Sequence, residues 1–428
     1  MSFKIQEPSP QTVMPGASAA GTHRRAVLKA AAAAAMLSAG APLAFAQSAP
    51  NALRIGWAIS KTGANAGGVS ASISGNYRLW VKEVNDAGGI MLKAFNKRVP
   101  IEVVEYDDRS STEEAVRYTE RLMSQDKVDF VLAPWGTGNN LAAAPTYEKH
   151  GYPLLAVAAL PADATALVKR WKHAFFYEGD AIPYAEALLD VLAAKRKEGL
   201  IGDTVAMVNI ADSFGVEAAK AARNAIKSHG FKLVYDNTYP IGVQDVTPII
   251  NEIKSKNADS FIAFSYPPDT FLLTEQAKVQ GLNPKAMYLG IGTALPAYGQ
   301  KFGADLEGVM GLGGVDYGSP VIQSYFKRHK DLTGYEPDRF TAPLVWVSLQ
   351  MLQQSIERVG KVDRAAVTQE LRNGSFETIF GTVKLQNQIL RDLFYVGQWQ
   401  NGEYYGVAPI SKKGAKPIVM PKPAWKKS

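Results

Sequence analysis

Thr204-Val205-Ala206-Met207-Val208-Asn209-Ile210 is an almost unbroken apolar run, and the pattern downstream of it decides the fold. Over residues 216–228 apolar positions recur at helical spacing, and 232–239 reads again as a strand. The alternation then repeats, with a helix over 246–256, a strand over 260–264, a helix over 271–280 and a strand over 286–290. Short apolar strands separated by helical segments of this length imply βαβ units and mostly parallel sheets covered by helices.

Towards the amino end the same rhythm is present. Residues 53–59 read as a strand, and Tyr77, Trp80, Val81 and Val84 lie at helical spacing within 73–85, before Asp86-Ala87-Gly88-Gly89 stops the helix. Residues 99–106 alternate as a strand that ends at Asp107-Asp108, where a capping or hinge role is expected. Ser111-Thr112-Glu113-Glu114 opens a helix with acids in its first turn, and 129–133 and 153–157 read as further buried strands. Two series with a change near Gly179-Asp180 imply an α/β protein of two lobes, each a mostly parallel sheet flanked by helices. Lobe 1 is expected over 47–179 plus 310–394, with a helix over 343–358 returning to it, and lobe 2 over 180–309 plus 395–411. In open α/β sheets ligands sit beyond the carboxyl ends of the strands, so two facing lobes make a cleft there.

The ends of the chain read differently. Arg24-Arg25-Ala26-Val27-Leu28-Lys29, an alanine-rich apolar stretch to Leu43 and then Ala44-Phe45-Ala46 have the form of a twin-arginine export signal, expected over 1–46 and cut near Ala46/Gln47. His23 departs from the residue type usual before the arginine pair. No cysteine occurs, which excludes both a disulfide and a lipid-bearing cysteine, so a freely diffusing protein of the periplasm is the expectation. The net charge is +7, of which residues 1–46 carry +3. Six lysines between Lys412 and Lys427, among three prolines, read as a solvated basic tail over 412–428. No groove of arginines and aromatics points to nucleic acid.

Catalytic chemistry finds little support. The histidines His23, His150, His173, His229 and His329 are scattered, and His150 and His329 follow a basic residue in charged helix ends, where surface positions are expected. There is no metal-binding histidine pair, no phosphate loop, no dinucleotide spacing and no nucleophile elbow, so neither enzyme nor cofactor is expected. The strand-end loops suit ligand binding better. Ser60-Lys61-Thr62-Gly63 offers hydroxyls and backbone N–H groups for an anion, Trp135 to Asn140 offers an aromatic wall and a hydroxyl, and Asp212 to Gly215, Ser265 to Pro268 and Gly290 to Thr293 stand at matching places.

Several of these stretches are familiar together. The run Gly56 to Gly63, the helix end Val84-Asn85-Asp86-Ala87-Gly88-Gly89-Ile90, Val104-Glu105-Tyr106-Asp107-Asp108, Ala144-Pro145, Gly151-Tyr152-Pro153-Leu154, Asp212 to Gly215, Tyr266, Gly281-Leu282 and Ile356 to Gly360 resemble the leucine/isoleucine/valine-type periplasmic binding proteins of ABC transporters. The resemblance spans nearly all of the chain after residue 46. It implies the type I periplasmic binding protein fold, with three crossovers at a hinge, closing on a small ligand and then docking on permease subunits of the membrane. A monomer is expected.

Carried over by position, the resemblance implies ligand contacts from Ser60, Thr62, Ala159 and Tyr266, with Thr137 where the family has the serine that holds a carboxylate; Trp135, Gly136, Ala158, Phe214, Gly292 and Thr293 complete the candidate set beside them. The departures are specific. Leu160 replaces a threonine, Gly68 replaces a pocket aromatic and so makes space, Ser110 and Gly136 replace two cysteines, and no acid stands near Gly292-Thr293 to pair with an ammonium. Burying an ammonium without an opposite charge costs several kcal/mol. The expected ligand therefore has a carboxylate or amide end and an apolar or aromatic body, held between Trp135, Phe214 and Tyr266. The alternatives are a plain amino acid, with Asp269 or Glu178 supplying the charge, and a sensor subunit presenting its ligand to a membrane receptor.

Overall fold

The computed structural model describes residues 48–426, so the export signal expected over 1–46 lies outside the described residues. In the first lobe β1 (Leu53–Ile59) is central, parallel to β2 (Ile101–Asp107) on one side and β3 (Phe130–Val131) on the other. A second parallel pair, β4 (Leu154–Ala156) with β5 (Ala174–Phe176), completes it. Helices α1 (Gly75–Asp86), α2 (Thr112–Ser124) and α3 (Thr137–His150) cover these strands. The expected cap at Ser111 forms, its hydroxyl accepting the Glu114 N–H. Ahead of α1, the helical turn Ala66–Val69 runs into it through a π-helical stretch, Ser70–Ser74.

The second lobe is one seven-stranded sheet. After α4 (Ala181–Lys197) come β6 (Thr204–Ile210), α5 (Ser213–Ser228), β7 (Lys232–Tyr239), β8 (Ser260–Phe264), α6 (Pro267–Val279), β9 (Ala286–Leu289) and β10 (Met310–Leu312). With β11 (Val396–Gln400) and β12 (Glu403–Ala408) the spatial order is β12-β11-β10-β9-β8-β6-β7, antiparallel only at the β10–β11 and β11–β12 pairs. Val205, Ala206, Met207 and Val208 are all fully buried, because helices cover both faces of a parallel sheet; hence the unbroken apolar run. On α5 the buried residues Phe214, Ala218, Ala222 and Ala225 recur every three or four positions and form the face laid on the sheet.

Between β10 and β11 the chain returns to the first lobe as α7 (Pro320–Thr333) and α8 (Thr341–Val359). Three segments cross between lobes, at 177–180, 313–319 and 390–395; a bridge between Phe176 and Ile389 anchors the last crossing to the first lobe.

Three expectations change. The lobe boundary placed at 310 moves, because Met310 and Gly311 pair with Tyr288 and Leu289 and so keep β10 in the second lobe. The tail 412–428 is not simply solvated. Over its described part, Gln398 and Val419 exchange two hydrogen bonds, Trp425 donates its indole N–H to the Leu282 carbonyl at 2.6 Å, and Lys422 is 4% exposed. His329 is fully buried instead of lying at the surface: α7 packs on α1 where Gly75 has no side chain, and a Cβ there would stand 2.3 Å from the imidazole. Among the described residues no helix is long and apolar enough to cross a membrane.

Candidate functional site

Four helices begin at the seam between the lobes. Gly136 and Thr137 start α3, Phe214 lies in the first turn of α5, Tyr266 precedes α6, and Phe340 and Thr341 start α8. The first three follow strands, and α8 follows the turn after α7, so the seam lies at the carboxyl edges of both sheets, as open α/β sheets require of a binding crevice. Together with Trp135, Ala158, Leu160, Glu178 and Ile291 these residues enclose a small cavity. In this closed arrangement it has room for roughly one water molecule.

The rings fill it. Trp135 of the first lobe lies 5.1 Å, centroid to centroid, from Tyr266 of the second, and Phe214 stacks on Tyr266 at 5.2 Å. Trp135 is held from behind, its indole N–H donating to the Ser72 hydroxyl at 3.1 Å while that hydroxyl donates to the Gly68 carbonyl at 2.6 Å. Gly68 therefore makes no spare room, contrary to expectation: a Cβ there would stand 2.8 Å from the indole, so the glycine admits the ring. The Asn140 amide donates to the carbonyls of Pro134 and Gly136 and fixes the turn that carries Trp135. That residue reads as loop in the sequence, but α3 starts at Thr137.

Charge is distributed unevenly around the four helix starts. Asp212 caps α5 through the Gly215 N–H at 2.8 Å, and Asp338 accepts from the N–H groups of Phe340 and Ala342. The starts of α3 and α6 have no side-chain cap, and α6 opens on two prolines that lack N–H groups. The first turn of α3 is thus the place where unpaired N–H groups and the positive end of a helix dipole favour an anion. Thr137 stands there, its hydroxyl accepting the Leu160 N–H at 3.0 Å and keeping its own proton to donate.

Opposite lies Glu178, 3% exposed, which accepts the Thr341 hydroxyl proton at 2.6 Å. Burial pushes its carboxyl up to about 8, against the opposing effect of that hydrogen bond, with the buried Asp338 adding to the rise. Asp338 itself is pushed up to about 7 by burial. Of the two acids considered as replacements for an ammonium partner, only Glu178 lines the cavity. Asp269 receives the Tyr239 hydroxyl at 3.4 Å and is not part of the lining.

Six of the eleven residues singled out in the sequence lie around the cavity: Trp135, Gly136, Thr137, Ala158, Phe214 and Tyr266. Ser60, Thr62, Ala159, Gly292 and Thr293 do not. The loop Ser60–Gly63 does hold a carboxylate, but its own. Asp107 accepts the N–H groups of Lys61 and Thr62 and the Thr62 hydroxyl at 2.8 Å, while Ser60 donates to Asp108 at 2.5 Å. Burial raises the Asp107 carboxyl, and the hydrogen bonds from Arg109, Thr62 and Lys61 outweigh it, leaving the group below its ordinary value. Thr293 turns its hydroxyl to the Gly290 carbonyl at 2.8 Å, and Ile291 faces the cavity instead. Ile291 belongs to the strand-end loop 290–293 that the sequence marks, whereas Phe340 and Thr341 carry no sequence signal and reach the seam through the turn between α7 and α8. Among the described residues no group of three metal-ligating side chains is present.

Comparison with known proteins agrees with this geometry. Residues 52–403 match the family model described as periplasmic binding protein. Over 346 residues the chain is 24% identical to the Leu/Ile/Val-binding protein homolog 7 of Brucella abortus, covering 77% of this chain and 84% of that one. The branched-chain amino acid substrate-binding protein LivJ of Streptococcus pneumoniae, solved with isoleucine, superposes with a TM-score of 0.68 at 20% identity, over 86% of this chain and 100% of that one. A solute-binding protein of an ABC transporter from Rhodopseudomonas palustris, solved with benzoate, superposes with a TM-score of 0.71 at 19% identity, over 86% and 97%.

Proposed function

The chain belongs to the periplasmic binding protein family, and on that premise we propose that it is the exported binding component of an ABC importer, closing two lobes on a small carboxylate or amide with an apolar or aromatic body and delivering it to a permease. The observation that carries the ligand class is the aromatic sandwich. Trp135 from one lobe and Phe214 and Tyr266 from the other meet at ring-stacking distances. A planar body inserted between them would replace ring–ring contact by ring–ligand contact in both lobes. Its carboxylate or amide would then lie at the first turn of α3, against the Thr137 hydroxyl. The chain holds and releases this ligand without covalent change, and the segment 1–46 directs it to the periplasm, where it acts as a monomer.

Glu178 favours a second reading. A buried carboxyl on the cavity wall is the partner an ammonium group needs, and an amino acid would place its ammonium there. The two readings differ in protons: an ammonium ligand drives Glu178 to ionise and releases a proton, whereas an anionic acid leaves it protonated as a donor. Calorimetric titration of leucine, phenylalanine and benzoate in buffers of different ionisation enthalpy separates them. Benzoate-type acids are expected to bind without proton release. Tight binding of leucine with no binding of the acids would sink the first reading.

A further inference from the structure

A second cavity, of about 560 Å³, lies among the three lobe crossings. Tyr184, just past the first crossing, lines it together with Gly314–Asp316 of the second and Leu393 and Phe394 of the third. Its size falls in the range of small-molecule sites, roughly 300–1,000 Å³. Phe340 is common to both cavities, lining the cleft on one hand and this space on the other.

The walls are largely apolar, with Val315, Ile322, Leu344 and Phe380 among them. At the rim α7 begins: its cap Ser319 makes no side-chain hydrogen bond to the helix, and the first-turn residues Val321 and Ile322 line the space. The turn opens on Pro320, which lacks an N–H, so the N–H groups of Val321 and Ile322 and the positive end of a fourteen-residue helix meet the cavity. Lys413 also lines it and has no ion-pair partner among the described residues, whereas Lys412 is paired with Asp392 at 2.5 Å. Tyr184 is 3% exposed, and its hydroxyl has no hydrogen-bond partner among the described residues. Two acids oppose an anion: Asp392, which is paired with Lys412, and Asp316, which among the described residues has no ion-pair partner.

We propose that the hinge cavity is a second ligand site, for a small apolar carboxylate of the fatty-acid class, coupled to cleft closure through Phe340. The coupling has a mechanical basis. All three crossings change course when the lobes rotate, so the shape of this cavity depends on the lobe angle. A ligand that fits the closed shape better than the open one favours closure by that difference in affinity alone. By linkage the cleft ligand must tighten the hinge ligand by the same factor.

Octanoate is the probe, titrated calorimetrically into the full chain. Three variants at partly exposed rim positions and one in the cleft decide the site. Lys413→Glu is expected to weaken octanoate about fivefold or more, and Asp316→Asn to tighten it severalfold. Val321→Trp, placed at a side chain 54% exposed, is expected to plug the cavity and abolish binding while leaving the melting temperature near that of the parent. Tyr266→Ala, which alters only the cleft, should weaken octanoate far less than Lys413→Glu does, by no more than its effect on closure. Octanoate binding that vanishes with Tyr266→Ala, that ignores all three rim variants, or that fails to appear at millimolar concentration overturns the site. The coupling rests on the proposed cleft function and is tested apart from it: saturating octanoate should tighten whichever cleft ligand is found, and equal cleft affinity with and without octanoate removes the coupling. Failure of benzoate to bind the cleft does not touch the octanoate result.

Discussion

Trp135 and Tyr266 belong to different lobes and lie 5.1 Å apart, their ring planes tilted by 43°. The lobes therefore touch through side chains that a ligand in the proposed cleft would have to part. Replacing Tyr266 by alanine removes the second-lobe wall, and binding of the cleft ligand is expected to weaken by about 1–3 kcal/mol, as for other aromatic anchors. Calorimetry on the parent and the variant measures the difference directly. Equal affinity would take Tyr266 out of the site.

Glu178 makes the unligated closed state sensitive to pH. Its carboxyl is raised from 4.5 to about 8, chiefly by burial, so the folded chain keeps a proton that the unfolded chain loses above about pH 4.5. Where the folded state binds more protons, stability falls as pH rises, here across the interval from about 4.5 to 8. Glu178→Gln cannot ionise, so its melting temperature should fall less steeply over that interval. Asp338, raised to about 7, acts in the same direction and remains in the variant, so the flattening is partial. Scanning calorimetry at closely spaced pH values tests it, and an unchanged slope would contradict the assignment.

Closure is also held outside the rings. Glu217 on α5 accepts the Ala162 N–H at 2.9 Å, joining the second lobe to the first. Elsewhere the adjacent residues Asp338 and Arg339 donate their N–H groups to Ala71 and Ala294, one in each lobe. Glu217→Ala removes only the first of these links and is expected to shift the unligated protein towards open forms. Small-angle scattering should then report a larger radius of gyration, and ligand affinity should drop by at most about 1.5–3 kcal/mol, the worth of a hydrogen bond to a charged group. A radius unchanged from the parent would show that the link plays no part in closure.

The legible and the illegible parts of the molecule divide on a physical line. β6 and β8 occupy the residues that their apolar patterns mark, because burial from both faces leaves an unbroken signature in the chain; β7 also occupies its expected residues, although as an edge strand it is only partly buried. Trp135, Phe214 and Tyr266 are readable as cleft residues because each closely follows a strand, and strand ends point to the crevice. Glu178 comes from the first crossing, and Phe340 and Thr341 from the turn between α7 and α8; their position depends on how two sheets pack, which no local pattern encodes. Ser60 and Thr62 mislead for a different reason. A loop rich in donors binds a carboxylate, and sequence alone does not say that Asp107, some forty-five residues on, supplies it.

Composition misrepresents the carboxyl-terminal residues, and their packing makes a last prediction. Lysines and prolines suggest a solvated tail, yet Gln398 and Gln400 of β11 turn their amides to the carbonyls of Val419 and Pro417. Lys422 lies over the Trp425 ring at 3.6 Å, its ammonium bonded to Asn283 at 3.0 Å, and burial pulls its pKa down to about 8. This strap seals the end of the second-lobe sheet nearest β11. Deleting residues 417–428 would take one partner from each of the buried amides of Gln398 and Gln400, which keep the Gly308 carbonyl and each other, and would bare the surface under Trp425. Urea unfolding of the truncated chain should show a lower midpoint than the parent. A midpoint equal to the parent's would mean the strap adds nothing to the stability of that lobe.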